Sequence, residues 1–150
     1  MKNVCVITGG GSGMGFAAAK LIGKDYHVII CGRSIKKLDA AVLELENEGI
    51  EVEAFPLDVS NFSDVENLAQ YAKKLGKVSA VIHAAGMSPH MGEAVKIMEA
   101  NALGTININN AFYKVMEDEG CIIDVSSMSA YLTPKIIMPV RLYKYSVKDP

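Results

Sequence analysis

Neither sign of charge is in excess in this sequence: 15 basic residues stand against 17 acidic ones among 150. That near balance excludes a nucleic-acid surface driven by bulk charge. No apolar run approaches the roughly 20 residues that a membrane-spanning helix requires. The N-terminus enters a strand-like run directly, so neither an anchor nor a signal peptide is expected. Cysteine is scarce and odd in number: Cys5, Cys31 and Cys121 each sit inside an apolar strand-like run. They are expected as buried, reduced thiols of a cytoplasmic protein. No Cys/His cluster has zinc-ligand spacing, which leaves a metal site without support. What remains is ordinary globular composition, 50% hydrophobic and 21% charged, in a length that suits one domain.

Apolar runs alternate with helical patterns along most of the chain. Val4-Cys5-Val6-Ile7 reads as a first buried strand, and Tyr26-His27-Val28-Ile29-Ile30-Cys31 as a second. Ser34 is placed to cap a helix whose Leu38, Ala41, Val42 and Leu45 share a face, ending at Gly49. A third strand runs from Val52 to Leu57, and a third helix follows, capped by Ser60 or Ser63. Ser79 to His83 is a fourth strand. A long helical pattern from about Glu93 to Glu117 carries Ile97, Met98, Asn101 and Thr105 on its expected buried face. Cys121 to Val125 is the fifth strand. Continuous apolar strands suit a sheet covered on both faces. The expected fold is α/β: a Rossmann-type, doubly wound parallel sheet of five strands, order 3-2-1-4-5. Residues 1–127 form this domain. Residues 128–150, with Pro134, Pro139 and Pro150, show no clean period and read as an irregular extension.

The chemistry begins at Thr8-Gly9-Gly10-Gly11-Ser12-Gly13-Met14-Gly15, between the first strand and a helix. A strand that turns through glycines into a helix offers unpaired amides and a dipole favouring an anion. Further motifs follow in order: Asp58-Val59 after the third strand, His83-Ala84-Ala85-Gly86 after the fourth, Asn101 in the long helix, and Ser126-Ser127 after the fifth. Together they resemble the short-chain dehydrogenases/reductases over essentially the whole chain to about Tyr131.

The resemblance implies an enzyme that interconverts a secondary alcohol and a ketone, in the manner of carbonyl reductases and hydroxysteroid dehydrogenases. Gly9, Gly11, Ser12, Gly13, Met14 and Gly15 would hold the pyrophosphate of a dinucleotide. Asp58 and Val59 would meet adenine, while His83, Ala84, Ala85 and Gly86 would border the ribose and nicotinamide. His83 replaces the family's more usual asparagine and is expected to brace backbone. Where NAD-specific folds carry an acid at the end of the second strand, this chain has Gly32, followed by Arg33 and Ser34. A guanidinium there favours NADP over NAD. Asn101 and Ser127 match the family's catalytic asparagine and serine. Partners are expected to be a small alcohol or ketone and a second copy of the chain, with no nucleic acid or membrane.

One motif has no match. The family's tyrosine and lysine, four residues apart on one helix about a dozen residues past the serine, meet Pro139-Val140-Arg141 here. Tyr131 and Lys135 have the spacing, but they follow Ser127 too closely and Pro134 interrupts their helix. The expectation is a chain that stops before its catalytic helix and is inactive alone. The alternative is a naturally short, non-catalytic NAD(P)-binding module, a sensor or scaffold.

Overall fold

The computed structural model describes residues 3–132 and Pro134. Five parallel strands, β1 (Asn3–Thr8), β2 (His27–Gly32), β3 (Val52–Pro56), β4 (Lys77–His83) and β5 (Cys121–Asp124), lie in the order β3-β2-β1-β4-β5. The expected fold class and strand order are met.

The winding follows from side chains that are apolar on both faces of each inner strand. In β1, Cys5 and Ile7 join Val28 and Ile30 of β2 beneath α1 (Gly13–Ile22) and α2 (Ile35–Asn47), which contribute Ala19, Leu38, Ala41 and Leu45. Val4 and Val6 point the other way. They pack with Ile29, Val81, Leu68 and Ala72 under α3 (Phe62–Leu75), and with Ile108 and Phe112 from the later helix. Burying each such branched side chain contributes about 1.5–3 kcal/mol, so neither face can be left open. After β3 the chain crosses to the other side of β1. The strand order therefore reverses between β2 and β4, and a crevice opens there at the strands' C-terminal ends.

Three expectations change. Asn61, rather than Ser60 or Ser63, caps α3, its Oδ1 accepting from the Ser63 amide at 3.1 Å. Ser60 is committed elsewhere: its amide and hydroxyl both donate to Asp58 Oδ1, at 3.0 and 2.7 Å. The long helical pattern is continuous but not uniform. It comprises α4 (Ala94–Met98), a π segment (Glu99–Leu103) and α5 (Gly104–Tyr113). The wider π turn changes the phase of the helix. Asn101, expected on the buried face, is exposed, and Asn107 is buried instead at 5% exposure. Cys121, expected inside, is exposed because β5 has a strand on one side alone among the described residues. A last turn, α6 (Ser129–Leu132), precedes Pro134. The helical turn expected near 140–145 lies outside the described residues.

Candidate dinucleotide cleft

At the crevice lies a cleft of about 450 Å³, walled by the glycine loop and by the ends of β2, β3 and β4. This is within the usual range for a small-ligand site. Its deepest constraint is steric. Gly9 has φ +69°, and a Cβ there would sit 2.9 Å from the Ala84 carbonyl oxygen. A Cβ on Gly15 would lie 2.6 Å from the Gly9 oxygen, so α1 approaches the loop more closely than any side chain permits. α1 has no acidic residue in its first turn, and its N-cap Ser12 makes no side-chain capping bond. The helix start therefore keeps its unpaired amides and its partial positive charge for an outside anion.

The structure brings most of the expected residues to one place. Gly9, Gly11, Ser12, Gly13 and Met14 line the cleft beside Arg33 and Ser34. Asp58 and Val59 form the wall after β3, and Ala84, Ala85 and Gly86 the wall after β4. Desolvation pulls the Asp58 carboxyl upward. The Ser60 amide and hydroxyl, with Arg33 and Lys96 nearby, outweigh it and hold the group below the usual carboxylate range. Asp58 is thus an anion, able to accept a hydrogen bond from a ligand amine.

Four expected residues do not line it. Gly15 is buried behind the loop, where its role is the close packing just described. His83 is 2% exposed and lies beneath the wall. Its Nδ1 is 2.7 Å from Thr8 Oγ1 and its Nε2 is 3.1 Å from Thr105 Oγ1. Thr8 Oγ1 in turn accepts from the Ala85 amide at 3.1 Å, so the ring reaches the backbone through a threonine hydroxyl. Burial holds the His83 ring below its ordinary pKa, against an opposing pull from Asp124. Asn101 sits beside the cleft's rim and fastens it. Its Oδ1 accepts from the Met87 amide at 2.7 Å and its Nδ2 donates to the Met87 carbonyl at 2.8 Å. Ser127 is exposed, its hydroxyl 2.8 Å from Ser129 Oγ and accepting from the Ser129 amide at 3.2 Å.

Some residues that serve the cleft were not singled out from sequence. Lys37 lines it one turn into α2, and its own Cβ stands 3.3 Å from where a Gly11 Cβ would be. Met87 and Ala100 line it as well. Asn107 donates to the carbonyls of Val59 at 2.9 Å and Ser60 at 3.2 Å, fixing the wall that carries Asp58. Lys37 gave no local signal, since it reaches the cleft through the packing of the start of α2 against Gly11. Asn107 gave none, because a polar residue flanking the apolar stripe at Ile108 and Ala111 reads as solvent-facing from sequence. Tyr131 is 92% exposed on α6, away from the cleft lining, and Lys135 lies outside the described residues.

The family model for short chain dehydrogenase matches residues 3–140. The chain is 32% identical over 141 residues to the human mitochondrial dehydrogenase/reductase SDR family member 2, covering 87% of this chain and 50% of that protein. Human family member 4 is 29% identical over 155 residues, covering 95% and 56%. Among solved structures, a short-chain dehydrogenase/reductase from Burkholderia phymatum in complex with NAD is 27% identical with a TM-score of 0.76, covering 89% of this chain and 52% of that one. An actinorhodin polyketide ketoreductase solved with NADPH shares the fold at a TM-score of 0.79 and 22% identity, covering 97% and 61%. This chain belongs to the short-chain dehydrogenase/reductase family. It spans about half the length of the curated relatives it matches.

Proposed function

We propose that this chain is the cofactor-holding portion of an NADP-dependent oxidoreductase acting on a secondary alcohol or ketone. One observation carries the cofactor choice: the cleft mouth at the end of β2 holds Gly32, Arg33, Ser34 and Lys37, two cations and a hydroxyl where an NAD-specific site would place a carboxylate. A ribose 2′-phosphate meets charge of opposite sign there, and the guanidinium can grip it through paired hydrogen bonds. Asp58 is the one acid on that lining, and it is already partly balanced by Arg33. The solved relatives were captured with NADPH in one case and NAD in another, so the choice rests on these residues rather than on the fold.

The remaining residues divide the work. The α1 amides hold the pyrophosphate, Asp58 accepts from the adenine amine, and Ala84 to Gly86 leave room for the second ribose. The bound dinucleotide would supply or take the hydride. Asn101 keeps the Met87 end of the cleft in place, and Ser127 is the residue offered for the substrate oxygen. Among the described residues no tyrosine and lysine stand four apart on one helix beside this cleft. A second reading is a module that binds dinucleotide without turnover. The exposed outer edge of β5, with Ile123 at 50% exposure, suits pairing with a second copy.

Calorimetric titration tests the cofactor reading. Arg33→Ala is expected to weaken NADPH binding about tenfold while leaving NADH nearly unchanged, the scale of one lost charged hydrogen bond at an open site. Equal loss for both dinucleotides sinks the NADP assignment. Ketone-dependent NADPH oxidation by the 150-residue chain would sink the module reading.

A further inference from the structure

The hydrogen bonds around His83 admit one direction of travel. The Asn101 carbonyl can only accept, so the Thr105 hydroxyl, 2.9 Å away, spends its hydrogen there. Thr105 Oγ1 must then accept from His83 Nε2, 3.1 Å away, and that nitrogen carries the ring proton. At the other end the Ala85 amide can only donate, to Thr8 Oγ1 at 3.1 Å. The Thr8 hydroxyl sends its own hydrogen to His83 Nδ1 at 2.7 Å, which in this tautomer is a bare acceptor. Every donor meets an acceptor. With the proton on Nδ1 instead, two lone pairs would face each other between Nε2 and Thr105.

We propose that His83 is a positioning residue of the cleft. A neutral imidazole with its proton on Nε2 gives direction to one hydrogen-bond chain tying the strand end at Ala85 to the π segment at Asn101, and protonating that ring uncouples the two. Both ends border the ligand space: Ala85 lines the cleft directly, and Asn101 follows the lining residue Ala100 and fastens Met87 by both backbone groups. The chain runs through Thr8 at 0% and His83 at 2% exposure, where water cannot replace a lost partner. A second ring proton arrives at Nδ1, where Thr8 already donates. Thr8 must then turn its hydrogen away from the ring and accept from both Nδ1 and the Ala85 amide, which reorients the hydroxyl that holds Ala85. The groups around the ring are Thr8 from β1, Thr105 from α5 and Asp124 from β5. Asp124 favours the proton but is itself held by Asn109 Nδ2 at 3.0 Å, while burial opposes it. Uncoupling therefore belongs to pH values below the ordinary histidine range.

The inference uses the dinucleotide reading for its probe ligand, and the test separates the two. Nitrogen-15 imidazole shifts of the full chain at pH 7.5 are expected to show the Nε2–H tautomer for His83; the Nδ1–H pattern overturns the proposal. NADP affinity is then measured by calorimetry from pH 8 to pH 5 in the wild type, His83→Asn and Thr105→Val. The nucleotide's own titration is common to all three and cancels in the comparison. The wild type is expected to lose about tenfold more affinity towards pH 5 than His83→Asn, a coupling of ordinary allosteric size. Thr105→Val, which keeps the ring and cuts the chain, is expected to bind less tightly at pH 7.5 and to mix the two tautomers. Identical pH profiles in the wild type and His83→Asn, or an unmixed tautomer in Thr105→Val, overturn the proposal. If His83→Asn does not fold, the wild-type tautomer and Thr105→Val decide. If the wild type binds no dinucleotide at any pH, the cofactor reading fails. The Ala85 and Asn101 backbone amide signals, expected to move together as His83 titrates, then decide the chain.

Discussion

Val4-Cys5-Val6-Ile7 of β1 and Cys121-Ile122-Ile123 of β5 are both unbroken apolar runs, yet all four of the first are fully buried while Cys121 and Ile123 of the second are exposed. The difference lies in neighbours. β1 has β2 and β4 beside it and helices above and below, whereas β5 pairs with β4 alone among the described residues. Composition can announce that a strand is fit to be covered on both faces. Whether it is covered depends on elements far away in the chain.

The largest test of that contrast is a pair of truncations. Phe112→Ala, in the core over β1, is expected to cost about 3–5 kcal/mol in chemical denaturation through its cavity. Ile123→Ala on the open strand should stay within about 0.5 kcal/mol. Comparable losses would mean that β5 is covered after all. Next in size is Gly15→Ala. Its methyl group must displace the Gly9 carbonyl that stands 2.6 Å away, an overpacking expected to cost about 1–3 kcal/mol and to abolish dinucleotide binding in titrations.

The smallest effect lies on the boundary between the two regions, where His83 of β4 pairs with Asp124 of β5. Burial lowers the His83 pKa below its ordinary value, so in mildly acidic solution the unfolded chain binds a proton that the folded chain refuses. Stability is full above that value and declines as pH falls below it towards the lowered folded pKa, with a slope of at most about 1.4 kcal/mol per pH unit. Urea midpoints at pH 7.5 and 5.5 should show this decline in the wild type and a smaller one in His83→Asn. Equal declines would assign the acid sensitivity to other groups.

These contrasts mark how far the sequence could be read. The sheet order, the glycine cradle and the strand-end residues Arg33, Asp58 and Ala84–Gly86 were legible because each sits at a fixed offset from a strand. Strand ends in a doubly wound sheet converge by topology. Helix faces were less legible. Five residues of π geometry between Glu99 and Leu103 were invisible to a 3.6-residue period, and they turned Asn101 off the face that Ile108 and Phe112 bury. Lys37 reaches the cleft because the start of α2 packs on Gly11, a tertiary contact with no local signature. The start of α3 misled for a similar reason, since Ser60 had a better partner in Asp58 than in the helix.

The uneven burial of the three cysteines makes the protein a ready-made single-site labelling scaffold. Burial drives the Cys5 thiol up to about 12 and raises Cys31 as well, so neither offers a maleimide dye a useful thiolate at neutral pH. Cys121 is exposed, and it stands in register with Ala80 on β4, which is itself in register with Cys5 on β1. A fluorophore attached there would sit on the rim of the sheet that the described residues leave uncovered, two strands from the buried centre. Its emission would report whatever comes to lie along that rim without a residue of the cleft being touched.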